Sequence, residues 1–561
     1  MTVRPSHTPG SGTGGAATVP SARAATLTGD GTQATSASRK FLARATLVTA
    51  SLSIAGSVLG LVRDQALARL FGAGSDTDAF LVAWTVPEFA ATLLIEDGLA
   101  LILIPAFSMA LARRARGAPG DPVRALVAAT LPRLGLAFAA VAAVVAGTAP
   151  YLVRALAPGL PDPRLAADCT RLTAICVLAF GLAGYCSAAL RAHRRFLAPA
   201  AIYVAYNAGI IAAMFLLGAR WGVRSAAAGV AAGGCLMVAV QLPSLWRQLT
   251  SPTRPPRGTG ADVEDRPVQL ALVASVLLFA LCRQSQVLVE RFLASHLPAG
   301  AISHLNYAQK VAQIPMTLSL MVCTVTFPVV ARALADGDTE RARSRVQRDL
   351  AVASCGVLLG MSAVIACAPQ MVELLFQRGA FTASDTAATA DVMRVYALGL
   401  LGQTLVGALT RSYFSTGRPS WYPLGAMAAG IAVTSGIGAA TVGTWGVSGI
   451  AAANALGITV TAALLLVGLR TPRNGPHSLS IRIRPVLAEL SRPVHAAVVA
   501  TVAGAFVAGR LQSPVAGLMT GCLTVAAVFV PLAWASGAQA FASALRSVRT
   551  VTRRLSHGHF R

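Results

Sequence analysis

The chain has 561 residues, 55% of them hydrophobic and only 12% charged, with a mean hydropathy of +0.63 and a formal net charge of +25. Soluble globular chains carry about 25% charged residues, and here the apolar residues come in runs of about 20, the length that crosses a bilayer core. A soluble fold is therefore excluded; positive charge in such a chain belongs to cytoplasmic loops, and no nucleic-acid partner is expected.

The predicted fold class is an all-α polytopic membrane protein. Residues 1–42, rich in Ser, Thr, Gly and Ala, read as a disordered cytoplasmic tail. Arg39, Lys40 and Arg44 precede the first apolar run, which continues through Arg63 without a signal-peptidase site, so the first helix is retained. Spans are predicted near 44–68, 78–111, 128–155, 166–190, 198–217, 224–246, 268–295, 301–333, 348–376, 384–412, 420–440, 445–469, 493–511 and 514–536, fourteen in all. Even-numbered connections are rich in arginine, for example Arg113, Arg114 and Arg116, or Arg341, Arg343 and Arg345, whereas odd-numbered ones are poorer. That alternation places both termini in the cytoplasm.

The sequence also repeats. Arg69-Leu70-Phe71 is followed after 36 residues by Pro105, and Arg291-Phe292-Leu293 after 37 residues by Pro328. Six spans separate the copies, which predicts two lobes related by a parallel repeat. The organisation expected is a lobe over 43–249, a linker over 250–267 containing Pro252, Pro255 and Pro256, and a second lobe over 268–470. A loop over 471–492, two further helices over 493–536 and a basic tail over 537–561 complete it.

Charges inside apolar runs mark the candidate polar pathway. A charged side chain at the centre of a membrane helix costs about 2.5–3.5 kcal/mol on insertion scales, and is tolerated where it lines a cavity. Gly56 to Ser108 carries Arg63, Asp64, Asp78, Glu88, Glu96 and Asp97, with Pro87 and Gly98 interrupting the second run. In the second half, Arg283 and Glu290 lie seven residues apart, on nearly one helix face. Lys310 is one of two lysines, the other being Lys40, in a chain whose basic residues are otherwise arginine. The nine cysteines form no CxxC pair and read as small buried hydrophobes. No metal-ligand cluster, nucleotide loop or nucleophile motif stands out, so neither a cofactor nor an enzymatic activity is expected.

Three long stretches carry a family resemblance: VLGLVRDQALARLFGAGSDTDAFLVAWTVPE from Val58 to Glu88, RFLASHLPAGAISHLNYAQKVAQIP from Arg291 to Pro315, and ELLFQRGAFTASDTAATADVMRVYALGLLGQTLVGALTRSYFSTGRPSWYP from Glu373 to Pro423. They resemble the MurJ/MviN lipid II flippases of the multidrug/oligosaccharidyl-lipid/polysaccharide exporter superfamily. The resemblance implies fourteen helices in two six-helix lobes plus two. It also implies a bacterial plasma-membrane location and a substrate that is an undecaprenyl-pyrophosphate-linked cell-wall precursor, moved from the inner to the outer leaflet. Membrane lipids, a coupling ion and cell-wall synthesis or division proteins are the other candidate partners. Arg63, Asp64, Asp78 and Glu96 match charged residues of the family, and Lys310 stands where arginine is usual; these and Arg283 are the candidate substrate-binding residues. Ser57 and the pair Ala91-Thr92 occupy positions where the family usually has arginine. Two other readings use the same superfamily fold: a cation-coupled exporter of drugs or other lipid-linked saccharides, and a transport-inactive scaffold for cell-wall enzymes.

Overall fold

The computed structural model describes residues 31–96, 98–118, 120–250, 270–320, 338–414, 419–469 and 483–537. All but the first residue of the expected linker over 250–267, Pro328 of the second repeat copy, Asp97, most of the 471–492 loop and all but the first residue of the basic tail lie outside the described residues. All regular structure among the described residues is helical. The first half comprises α1 (Gly31–Phe71), α2 (Ser75–Ala83), α3 (Thr85–Ala91), a π-turn (Thr92–Glu96), α4 (Gly98–Ala115), α5 (Pro122–Leu156), α6 (Pro163–Ala192), α7 (Leu197–Trp221) and α8 (Arg224–Thr250). The second comprises α9 (Leu270–Ala294), α10 (Ala301–Ala312), α11 (Thr339–Ala366), α12 (Ala368–Phe376), α13 (Ala383–Ala397), α14 (Leu400–Phe414), α15 (Tyr422–Gly468), α16 (Ile483–Gly509) and α17 (Pro514–Ala535). The first helix begins at Gly31, ahead of the span expected from apolarity alone.

Among the described residues ten helices are long and apolar enough to cross a membrane, or eleven when α13 and α14, bent by 48°, form one span. Side chains such as Leu136, Phe215, Trp246 and Phe506 are exposed on their outer faces, where a bilayer rather than water suits them. The buried helix of the first half is α6, against which α2, α3, α5 and α8 pack. In the second half α15 packs on α9 and α14, while α16 and α17 pack on each other and on α11.

The second expected span is not one helix. Proline has no N–H and its ring crowds the carbonyl four residues back, so Pro87 leaves the Ala83 carbonyl free and the chain turns at Trp84. Two hydroxyls fill the gap: Thr173 of α6 donates to the Ala83 carbonyl at 3.3 Å, and Thr85 to that of Val82 at 2.6 Å. The π-turn that follows brings the Leu94 carbonyl so close to Gly184 that any Cβ there would collide with it. Span eight is also broken, at Gln313, just ahead of Pro315. Span nine breaks at Cys367, just ahead of Pro369.

Helix α15 is a hairpin of two helices. Gly446 sits at φ 56°, ψ −135° and reverses the chain, a conformation glycine adopts without a Cβ penalty. The two legs touch through glycine: a Cβ on Gly457 would run into the Thr434 hydroxyl, and one on Gly430 into that of Thr461. Overpacking costs about 1–3 kcal/mol. Gly457→Val is therefore expected to lower the thermal unfolding midpoint of the detergent-purified protein by several degrees. Gly436→Ala in the same hairpin, with nothing within 4 Å of the added Cβ, is expected to leave it unchanged.

Candidate functional site

The two halves meet at the end where α1, α9 and α12 finish. Ala380 N donates to the Arg69 carbonyl at 2.9 Å. The Tyr307 hydroxyl reaches the Gly72 carbonyl at 3.4 Å, and Gly159 N reaches Ser295 Oγ at 3.4 Å. Asp78 lies at the centre of this contact. Its Oδ2 accepts from Gly300 N at 2.7 Å, and its Oδ1 from Ser303 N at 2.8 Å and Ser303 Oγ at 2.5 Å. Gly300, at φ 97°, is the N-cap residue of α10 and supplies no side chain, so the first-turn N–H groups that every helix leaves bare are capped from the other half of the molecule. The carboxylate also sits at the positive end of the helix dipole. Asp78, expected from sequence as a substrate-binding residue, is not among the residues that line the cavity between the halves; its carboxylate bonds one half to the other.

Below this contact a cavity of about 1040 Å³ separates the halves. Arg63, Glu96, Arg283 and Lys310 line it together, as do Ala91 and Thr92. Ser57 is not among the lining residues; it is exposed, with its hydroxyl on the Ser53 carbonyl at 3.2 Å. The lining carries five cations, Arg63, Arg283, Arg291, Lys310 and Arg411, against three carboxylates, Glu88, Glu96 and Glu290.

The pairing within this set decides which charges are free for a ligand. Arg63 is held on three sides: Nη2 contacts Asp64 Oδ1 at 2.7 Å, Nη1 donates to Asn207 Oδ1 at 3.2 Å, and its guanidinium lies 4.4 Å from the centre of the Trp84 ring. Asp64 is buried behind Arg63 and orients it rather than facing the main cavity. Arg291 of α9 bridges to Glu88 of α3 at 2.9 Å and also donates to the Thr85 hydroxyl. Glu290 accepts from Gln309 Nε2 at 2.5 Å and from the Asn454 amide. Glu96 accepts from the Tyr203 hydroxyl at 3.1 Å. Arg283 and Lys310 have no carboxylate within 4 Å among the described residues. Glu290, the acidic residue of the same helix as Arg283, is bonded to the Gln309 and Asn454 amides and makes no ion pair with Lys310 among the described residues. Unpaired cations inside a membrane protein are costly, so these two sit where an anion can join them.

Neither the Glu88–Arg291 bridge nor the Tyr203–Glu96 bond follows from local sequence pattern, since the partners are 203 and 107 residues apart. The one available signal was the charge itself in an apolar run.

The family model described as lipid II flippase MurJ matches residues 67–520. The lipid II flippase MurJ of Burkholderia cenocepacia is 27% identical over 387 residues, covering 67% of this chain and 73% of that protein. The probable lipid II flippase MurJ of Vibrio cholerae is 25% identical over 455 residues, covering 77% and 83%. Among solved structures, a lipid II flippase MurJ in an inward closed conformation superposes with a TM-score of 0.66 at 19% identity, over 86% of this chain and 98% of that one. An inward-facing multidrug-resistance transporter of the MATE family, in the MOP superfamily, superposes with a TM-score of 0.59 at 14% identity, over 75% and 96%. The structural likenesses share the fold, and the family match runs through both halves that wall the cavity. This chain is a multi-pass bacterial membrane protein of the lipid II flippase MurJ family.

Proposed function

We propose that this protein translocates lipid II, the undecaprenyl-pyrophosphate-linked cell-wall precursor, from the inner to the outer leaflet by alternating access. The observation that carries the reading is the pair Arg283 and Lys310, cations with no carboxylate partner among the described residues, in a cavity between two helical halves. A pyrophosphate and sugar-peptide head group cannot cross hydrocarbon without leaving polar groups bare, at several kcal/mol each. The cavity offers those groups partners, while the polyprenyl tail stays in the bilayer. In this reading the halves are the expected lobes over 43–249 and 268–470, and α16 and α17 are the two further helices. Reconstitution into liposomes with lipid II, read by accessibility of the head group to an added enzyme or lectin, tests the activity. A rate equal to that of protein-free liposomes refutes it.

The Asp78 end faces outward in this reading, so the cavity loads from the cytoplasmic side and both termini are cytoplasmic. Single cysteines replacing Pro20, Asp76, Gly258 and Leu555 in a cysteine-depleted background are expected to divide. Only the one at position 76 reacts with an impermeant thiol reagent added to intact cells. Labelling of any of the other three, or silence at 76, reverses the orientation.

A further inference from the structure

Away from the charged residues, three uncharged side chains of the second half meet at the cavity wall. Tyr396, 3% exposed, lies near the end of α13, beside the bend into α14. Its hydroxyl oxygen accepts from Gln313 Nε2 and from Gln403 Nε2, both at 2.8 Å. A phenol oxygen has two lone pairs and one proton. The glutamines take both lone pairs, and the proton has no acceptor among the described residues. The carbonyl oxygens of Gln313 and Gln403 also lack a partner among the described residues, and neither is shut away from the cavity. One donor and two acceptors are therefore open to a ligand, with no net charge.

That set does not suit a phosphate, whose oxygens would face two carbonyl oxygens. It suits a hydroxyl or an acetamido group, which accepts from the phenol and donates to an amide oxygen. Position supports the same chemistry. Gln313 follows Lys310 by three residues, about 4.5 Å along a helix at about 1.5 Å per residue, and on the same side. In a pyrophosphate-linked saccharide the first sugar is bonded directly to a phosphate oxygen, so it must lie within about a turn of the cation that holds the phosphate. We propose that Tyr396, Gln313 and Gln403 form a sugar-recognition subsite beside Lys310, taking a hydroxyl or acetamido group of the sugar next to the pyrophosphate. The proposal rests on the lipid II reading above.

The test measures binding of two lipids, lipid II and undecaprenyl pyrophosphate, which lacks the sugar, to the full-length protein in nanodiscs. Tyr396→Phe removes the donor and keeps the ring. It is expected to weaken lipid II binding roughly two- to tenfold, the range for one hydrogen bond to a neutral group, and to leave undecaprenyl pyrophosphate unchanged. Gln403→Leu is expected to act the same way, and serves if Tyr396→Phe does not fold. Lys310→Gln weakens both lipids. Equal losses for both lipids in Tyr396→Phe, together with a lower unfolding midpoint, would mean that the trio only ties α10, α13 and α14 together, and would overturn the proposal. Full retention of lipid II affinity in both variants also overturns it. If the wild-type protein binds neither lipid, the flippase reading itself falls and takes the subsite with it.

Discussion

Lys310→Gln is expected to abolish lipid II flipping while leaving expression and folding intact, and Lys310→Arg is expected to retain most of the activity. A hydrogen bond to a charged group contributes about 1.5–3 kcal/mol, so loss of the ammonium alone predicts a fall of roughly ten- to a hundredfold in the occupancy that drives turnover. Folding is spared because Lys310 makes no ion pair among the described residues that its removal would break. Glutamine, one atom shorter, keeps the polarity of the side chain but not its charge; arginine keeps the charge and offers a planar fork of donors that can hold a phosphate bidentately. Initial flipping rates in proteoliposomes, normalised to folded protein, check the pair. Normal transport by Lys310→Gln, or its rescue by Glu290→Gln, would assign Lys310 to the internal charge balance of the cavity instead of to the substrate. The contrasting case is Arg291. It is bonded to Glu88 and Thr85 across the two halves, so its removal leaves a carboxylate bare and disturbs folding as well as transport.

These two cations show what a sequence can and cannot reveal of such a site. Lys310 stood out because lysine is nearly absent from the chain, and Arg63, Glu96 and Arg283 because charge in an apolar run is costly wherever it is not used. Spacing along one helix carries information about that helix only. It places Arg283 and Glu290 on one face, but is silent on Asn454, which takes up Glu290 from 164 residues away. The same limit applies to backbone geometry. Pro87 announces a break, but that the bare Ala83 carbonyl is met by Thr173 of another helix is a tertiary fact. Apolar periodicity located the spans, and Pro87 and Gly98 marked the second as interrupted, yet it read the eighth as continuous, because a helix broken at a cavity wall is as apolar as an unbroken one.

Asp78 is the clearest instance of a residue whose role lies outside its own helix, and its replacement is expected to have the second large effect. An aspartate at the start of a span suggests a cap on that span. The structure instead puts its carboxylate on Gly300 and Ser303, more than 220 residues away. Loss of a helix N-cap costs about 0.5–2 kcal/mol, and each buried N–H left without an acceptor about 1–3 kcal/mol. Asp78→Ala removes one acceptor group from two backbone N–H groups and one hydroxyl at once, and every one of those bonds crosses between the halves. The closed Asp78 end, the outer one in the orientation proposed above, therefore loses several kcal/mol relative to an opened one, which is enough to shift a two-state population by two orders of magnitude or more. The expected result is loss of flipping, with a cavity that opens outward. A cysteine placed at Gln313 in a cysteine-depleted background should react with an impermeant thiol reagent from outside at least tenfold faster in Asp78→Ala than in the parent. Asp78→Glu, one methylene longer, keeps the charge at the helix terminus and should lie between the two. Unchanged reactivity in Asp78→Ala, with the protein folded, would show that the Arg69–Ala380, Gly72–Tyr307 and Gly159–Ser295 contacts hold this end shut without Asp78.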